Sequence, residues 1–76
     1  MERVRITKAV ENYPTILIEA GALGTLVRID EDGSYWVRLD EHHAELDEWH
    51  NELQLWDWSA DNGQEEHPES FIKRIG

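Results

Sequence analysis

The sequence predicts a small all-β domain, a five-stranded antiparallel barrel with a single helical turn before the last strand. Two runs rich in Val, Ile, Tyr and Trp flank the dipeptide Asp32-Gly33, whose tolerance of positive φ suits a tight hairpin turn. Residues 3–8 alternate polar and apolar side chains, as a half-buried strand does. The chain has 76 residues and no cysteine, so a single domain without disulfides is expected.

The first predicted strand covers residues 3–8, and Val10 continues its alternation. Its apolar side chains share one face, which we expect to point inward. Residues 12–15 end the strand, because their proline lacks a backbone donor and disfavours a helical conformation at the residue before it. The inward side chains are those of Val4 and Ile6.

The second and third predicted strands, residues 24–29 and 35–39, form a hairpin around the Asp32-Gly33 turn. Gly21 and Gly24 allow the sharp reversal by which the chain enters this hairpin. Side chains at alternate positions between Thr25 and Leu39 are expected to point into a shared apolar interior. The residues that share one face are Val27 and Ile29 on the first strand, and Tyr35, Val37 and Leu39 on the second.

Residues 40–58 have two interpretations. If the segment is helical, Leu46, Trp49 and Leu53 lie on one face of an amphipathic helix. Alternatively, it forms a short fourth strand, a single helical turn and a last strand, at residues 46–49, 51–53 and 54–56. We favour the second interpretation, because the central hairpin needs edge partners to be stable.

The barrel is expected to occupy residues 1–58, followed by an acidic, mobile tail over residues 59–76. The first part of this tail contains almost no side chains that could be buried, which is typical of a solvated segment. Phe71, Ile72 and Ile75 are the exceptions. They either dock on the body of the domain or end a loose segment.

The charge of the chain is strongly negative and unevenly distributed, with a net charge of −10. Residues 30–70 hold fourteen acidic side chains against the single Arg38, whereas residues 1–29 have a small excess of basic ones. Such a field repels phosphate backbones, so we expect no direct binding of nucleic acid. It favours a basic protein partner. No apolar run is long enough for a membrane span or a secretory signal, and the lack of cysteine fits a cytoplasmic protein.

The order of these features resembles that of an SH3-like barrel. Residues 24–29, Gly-Thr-Leu-Val-Arg-Ile, and residues 35–39, Tyr-Trp-Val-Arg-Leu, are similar to strands of KOW, Tudor and photosystem or ferredoxin-reductase small-subunit domains. The resemblance covers residues 3–58 and implies a small barrel that binds a partner. KOW domains that bind RNA are usually basic, whereas this chain is acidic. It also lacks the signature of an SH3 domain that binds Pro-x-x-Pro peptides.

Aromatic and acidic side chains make up the predicted partner-binding site. Trp36 lies on the opposite face of its strand from Tyr35, and Trp56 lies opposite Leu55 in the same way. Exposed aromatic side chains anchor many interfaces, and in Tudor-type barrels they hold a methylated cation. The alternative is that Trp36 and Trp56 only cover the second face of the barrel. The predicted site comprises Tyr13, Trp36, Trp56, Asp40, Glu41, Asp47 and Glu48.

Metal binding and catalysis are the less favoured interpretations of the polar residues. His42, His43 and His50 stand among carboxylates, which are ordinary metal ligands. Neighbouring histidines on a strand point to opposite faces, however, so we expect no metal and no cofactor. We expect no enzymatic activity either, because acid–base catalysis needs paired carboxyl groups in an enclosed pocket. The remaining cations are expected to form cross-strand ion pairs with Glu31 and Asp40; they are Arg3, Arg5, Lys8, Arg28 and Arg38.

Three functions therefore remain open. The favoured one is a monomeric interaction module that binds a basic partner protein through the aromatic and acidic residues. The second is an acidic decoy that imitates nucleic acid and occupies a DNA- or RNA-binding protein. The third is a barrel that binds a metal or a nucleic acid.

Overall fold

The computed structural model describes residues 2–12, 16–43, 46, 51–56 and 67–75. These residues form seven strands and one short 3-10 helix, which confirms the predicted all-β class. No helix in these ranges is long and apolar enough to cross a membrane. The strands are β1 (Glu2–Ile6), β2 (Val10–Asn12), β3 (Ile16–Ile18), β4 (Leu23–Ile29), β5 (Tyr35–Leu39), β6 (Glu52–Leu55) and β7 (Ile72–Arg74), with the 3-10 helix at Pro68–Phe71.

Five of these strands form one antiparallel sheet in the order β6-β5-β4-β1-β7. Strands β2 and β3 pair separately as a two-stranded ribbon. Within the described ranges β6 and β7 are the two edges and do not pair with each other, so the sheet is not closed. The predicted five-stranded antiparallel sheet is therefore present, and both β2–β3 and the 3-10 helix are additions to it.

The core lies on one face of the five-stranded sheet, and the predicted inward residues of β1 and β5 are in it. Val4, Ile6 and Val37 are fully buried because alternate side chains of a strand point to the same side. Val10 and Ile18 of the two-stranded ribbon join the same apolar cluster. The remaining members are Leu26, Tyr35, Leu39, Leu46, Leu53, Leu55, Phe71 and Ile72.

The predicted inward face of the second strand was wrong. Gly24 and Leu26 face the core, whereas Val27 is half-buried and Ile29 is 53% exposed. The positions before the β-bulge already have the opposite phase from the prediction, because Gly24 lies opposite Leu39 and Leu26 lies opposite Val37. The bulge inserts Val27 as an extra residue and brings Ile29 opposite Tyr35, but Ile29 is the last residue of β4 and stays exposed.

Gly24 is required by the close approach of β5. A Cβ atom at this position would lie 2.6 Å from the carbonyl oxygen of Arg38 and 2.8 Å from Cγ1 of Val37. Both distances are far shorter than a normal van der Waals contact. The absence of a side chain at Gly24 therefore lets β4 and β5 pair at this end of the hairpin.

The predicted single helical turn lies at Pro68–Phe71 and not at residues 51–53. Residues 52–55 instead pair with β5, and Leu53 and Leu55 are fully buried on alternate positions of β6. Proline suits the first position of a helix because its φ is already helical and it has no donor to lose. Nδ1 of His67 accepts a hydrogen bond from the backbone N–H of Glu69 at 3.1 Å and caps the turn.

The final part of the predicted tail is folded onto the domain. Strand β7 pairs with β1, with Ile72 opposite Ile6, and Phe71 is fully buried. Of the two alternatives left open for these residues, the structure has the docked one for Phe71 and Ile72, while Ile75 is 41% exposed. Burial of a large aromatic side chain stabilises this arrangement. Residues 59–66, and residues 47–49 of the predicted fourth strand, lie outside the described ranges.

Candidate functional site

An open cleft of about 700 Å³ separates the turn before β4 from the chain that follows β5. One wall is formed by residues 18–23 and the other by residues 39–43. Its lining combines an apolar floor with acidic and imidazole groups. The floor includes Ile18, Ala22 and Leu39, and the polar groups belong to Glu19, Asp40, Glu41, His42 and His43.

Backbone hydrogen bonds hold the first wall of the cleft in place. Gly21 has a φ of 102°, a left-handed conformation that favours glycine and allows the sharp turn. Its N–H donates to the carbonyl of Ile6 at 2.7 Å, and the N–H of Ile6 donates to Ala22 at 2.8 Å. The N–H of Asp40 donates to the carbonyl of Leu23 at 2.9 Å, which joins the two walls at their base.

Asn51 organises the second wall, and the sequence analysis did not identify it. Its side-chain Nδ2 donates to the carbonyls of Leu39 at 3.1 Å and Glu41 at 2.5 Å, while its Oδ1 accepts from the N–H of His43 at 2.9 Å. Its φ of 52° is one that asparagine tolerates better than most residues. An asparagine directly before a buried strand was the available signal for this role.

Asp40 is held by Arg3 of β1 across the sheet. Nη1 of Arg3 donates to Oδ1 of Asp40 at 2.7 Å, Nη2 contacts the second carboxylate oxygen, and Nη1 also donates to Thr25 at 2.9 Å. The hydrogen bonds from Arg3 hold the pKa of Asp40 below its ordinary value. The pair of Arg3 and Asp40 is one of the predicted ion pairs. Within the described ranges, Glu31 forms no such pair.

Glu19 and Glu41 differ from Asp40, because neither has an ion-pair partner among the described residues. Both side chains are exposed, and they lie on opposite walls of the cleft. Their charges are therefore available to a cation that enters from solvent. Of the predicted acidic residues, Asp40 and Glu41 line the cleft, and Asp47 and Glu48 lie outside the described ranges.

Trp36 lies on the outward face of β5, as predicted, and contacts neighbouring charged groups. Its Nε1 donates to Oδ2 of Asp30 at 2.7 Å, and the guanidinium of Arg28 lies 4.5 Å from its ring centroid. Arg28 in turn donates to Asp30 at 2.9 Å. Four residues along a strand, about 13 Å, separate Trp36 from Asp40. Trp36 is half-buried in this cluster and does not reach the cleft.

Trp56 follows β6 and lies at the other end of the sheet. With Ser34, His67 and Pro68 it lines a small cavity of about 150 Å³. Tyr13 lies outside the described ranges. The structure thus brings Asp40 and Glu41 together with Glu19, but places Trp36 and Trp56 away from them.

The histidines do not form a metal centre within the described part of the chain. There, no group of three or more His, Cys, Asp or Glu side chains is placed to hold a metal ion. His42 and His43 both line the cleft, and His50 lies outside the described ranges.

Comparison of the chain with protein-family models, with curated protein sequences and with solved structures found no match. The function is therefore inferred from the residues and their geometry.

Proposed function

We propose that this chain is a small, non-catalytic interaction module that binds a basic segment of a partner protein in the cleft. The observation that carries the proposal is the placement of Glu19 and Glu41 on opposite walls above an apolar floor. A lysine or arginine side chain fits this arrangement. Its aliphatic stem would lie over the half-buried Ala22, and its charged head would lie between the two carboxylates.

The net charge of the molecule supports the same class of partner. A charge of −10 on a chain of 76 residues raises the local concentration of basic molecules and accelerates their association. Asp40 contributes less than its position suggests, because its carboxylate already accepts hydrogen bonds from Arg3. The proposal therefore assigns direct contact to Glu19 and Glu41 and a supporting position to Asp40.

We also propose that the fold is an SH3-like barrel. Three features support this: the antiparallel sheet, the central hairpin, and the helical turn directly before the last strand. The ribbon β2–β3 occupies the place expected for the long loop between the first two strands of the sheet. An experimental structure in which residues at the edges of β6 and β7 bridge to each other would establish the closed barrel.

Binding of a labelled heptapeptide that alternates lysine with leucine tests the function. We expect Glu19→Gln and Glu41→Gln each to weaken binding about two- to fivefold, as for an exposed ion pair. Glu31→Gln is the matched control, since it removes the same charge from the exposed hairpin turn. Fluorescence anisotropy measures all three.

Equal weakening by the three variants would contradict the cleft and favour the acidic decoy, because only net charge would then matter. The decoy also predicts that affinity falls steeply as salt rises. Binding in the cleft predicts a weaker salt dependence, since part of the contact is apolar.

A further inference from the structure

The outward face of the five-stranded sheet is basic, although the molecule as a whole is acidic. All seven basic residues of the chain are described, and five of them lie on this face. Among the described residues they contact three carboxylates. The basic residues are Arg3, Arg5, Arg28, Arg38 and Lys73, and the carboxylates are those of Asp30, Asp40 and Glu52.

Two of these cations are not neutralised within the described ranges. Arg5 of β1 lies directly opposite Lys73 of β7, both side chains are exposed, and neither has an ion-pair partner there. Directly opposite residues on paired strands lie about 5 Å apart, and like charges at this distance destabilise the pair. An anion between the two side chains would relieve that repulsion.

Exposed aliphatic side chains flank this pair. Leu23 lies opposite Arg5 on β4 and is 39% exposed. Ile75 follows Lys73 by two residues, so it faces the same side, and it is 41% exposed. The two cations are thus bordered by apolar surface on either side.

The negative charge elsewhere in the molecule does not prevent anion binding here. The molecule measures 27 × 25 × 24 Å, whereas screening reduces electrostatic interactions over about 8 Å at physiological ionic strength. Carboxylates on the far side therefore lie several screening lengths away. The carboxylates beside Lys73, those of Glu2 and Glu69, are paired with Arg74, so Arg5 and Lys73 remain the charges nearest to a bound anion.

We propose that Arg5 and Lys73, with Leu23 and Ile75, bind a short acidic segment of a partner protein in which carboxylates alternate with aliphatic side chains. Duplex nucleic acid fits poorly, because it carries one charge per about 1.7 Å and would bring about 16 phosphates across a molecule 27 Å long. Two free cations cannot offset that repulsion. The site shares Leu23 with one wall of the proposed cleft, but it does not rest on the cleft function, since it selects the opposite charge.

The test is binding of a labelled heptapeptide that alternates glutamate with leucine. We expect Arg5→Gln and Lys73→Gln each to weaken binding about two- to fivefold, and Lys73→Arg to retain it. Arg38→Gln is the matched control, because it removes a charge from the same face at a residue paired with Glu52. We expect it to change affinity by less than about 1.5-fold.

Several results would overturn the proposal. These are no binding of the glutamate peptide, equal weakening by all three glutamine variants, or tighter binding of a duplex oligonucleotide. If the glutamate peptide does not bind, the remaining role for Lys73 is to protect the edge of the sheet. Lysine on an edge strand discourages strand pairing between molecules. The lysine peptide and the glutamate peptide test the two surfaces separately, so either proposal can fail alone.

Discussion

Replacing Phe71 by alanine tests whether the C-terminal segment is part of the cooperative fold. Phe71 is fully buried, its carbonyl accepts from the N–H of Thr7 at 2.8 Å, and the ammonium of Lys8 lies 5.6 Å from its ring centroid. Truncation of a buried phenylalanine costs about 3–5 kcal/mol. A domain of 76 residues has a total stability of about 4–11 kcal/mol, so the loss is about a quarter of it or more.

Urea unfolding followed by circular dichroism measures this effect. With a slope of about 1 kcal/mol per molar urea, we expect Phe71→Ala to lower the midpoint by about 3 M or to unfold the protein without urea. The control is Ile75→Ala, which removes a side chain that is 41% exposed and is expected to cost less than about 1 kcal/mol. A loss below about 1 kcal/mol for Phe71→Ala would show that residues 67–75 do not unfold together with the sheet.

The other predictions concern packing, a half-buried hydrogen bond and pH. Gly24→Ala should lower the free energy of unfolding by about 1–3 kcal/mol, because the added Cβ would overlap the backbone of β5. A loss below about 0.5 kcal/mol, measured by urea unfolding, would contradict the close approach of β5 to Gly24. A double-mutant cycle of Trp36→Phe and Asp30→Ala should give a coupling of about 1 kcal/mol for their hydrogen bond, and strict additivity would show that the bond does not contribute. The pKa of Asp40 is lowered by its hydrogen bonds to arginine, so its stabilisation exists above the ordinary value of 3.8 and is lost as pH falls through the folded-state pKa. Asp40→Asn should therefore lower Tm at pH 7 and have no effect at about pH 2, whereas an equal effect at both would refute the ion pair. Burial, together with a neighbouring carboxylate, raises the pKa of Tyr35 above 10.0. The stability of the domain should therefore fall as pH rises beyond 10, and Tyr35→Phe should reduce that fall in Tm.

The sequence predicted the parts of the fold that depend on local alternation. Val4 and Ile6 on β1, and Val37 on β5, are buried because each lies on the apolar face of a regular strand. The Asp32-Gly33 turn also forms as predicted, with Gly33 at a φ of 91°. These features require no knowledge of distant contacts.

The features that were missed depend on contacts between distant residues. The inward positions of β4 are set by its register with β5, which places Leu26 opposite Val37, and the bulge at Val27 has no local signature. The docking of Phe71 depends on a surface built by β1, far away in the sequence. The helical turn was placed too early, because Leu53 and Leu55 alternate as a strand once β5 is available to pair with them.

The candidate site was predicted only in part, for the same reason. Asp40 and Glu41 line the cleft, but Glu19 reaches it through the turn at Gly21, which composition does not reveal. Trp36 alternates outward as expected, yet its contact with Arg28 arises from the register of β4 and β5. Residue type indicated which side chains were chemically useful, and the pairing of strands decided which of them meet.

The position of β1 between β4 and β7 has a consequence for how the chain reaches its native state. Its first neighbour, β4, follows after the β2–β3 ribbon, but its second neighbour, β7, is the last described strand. Closing so long a loop is entropically unfavourable, and topologies dominated by such distant pairings fold slowly. During synthesis, one edge of β1 stays unpaired until residues 72–74 have left the ribosome.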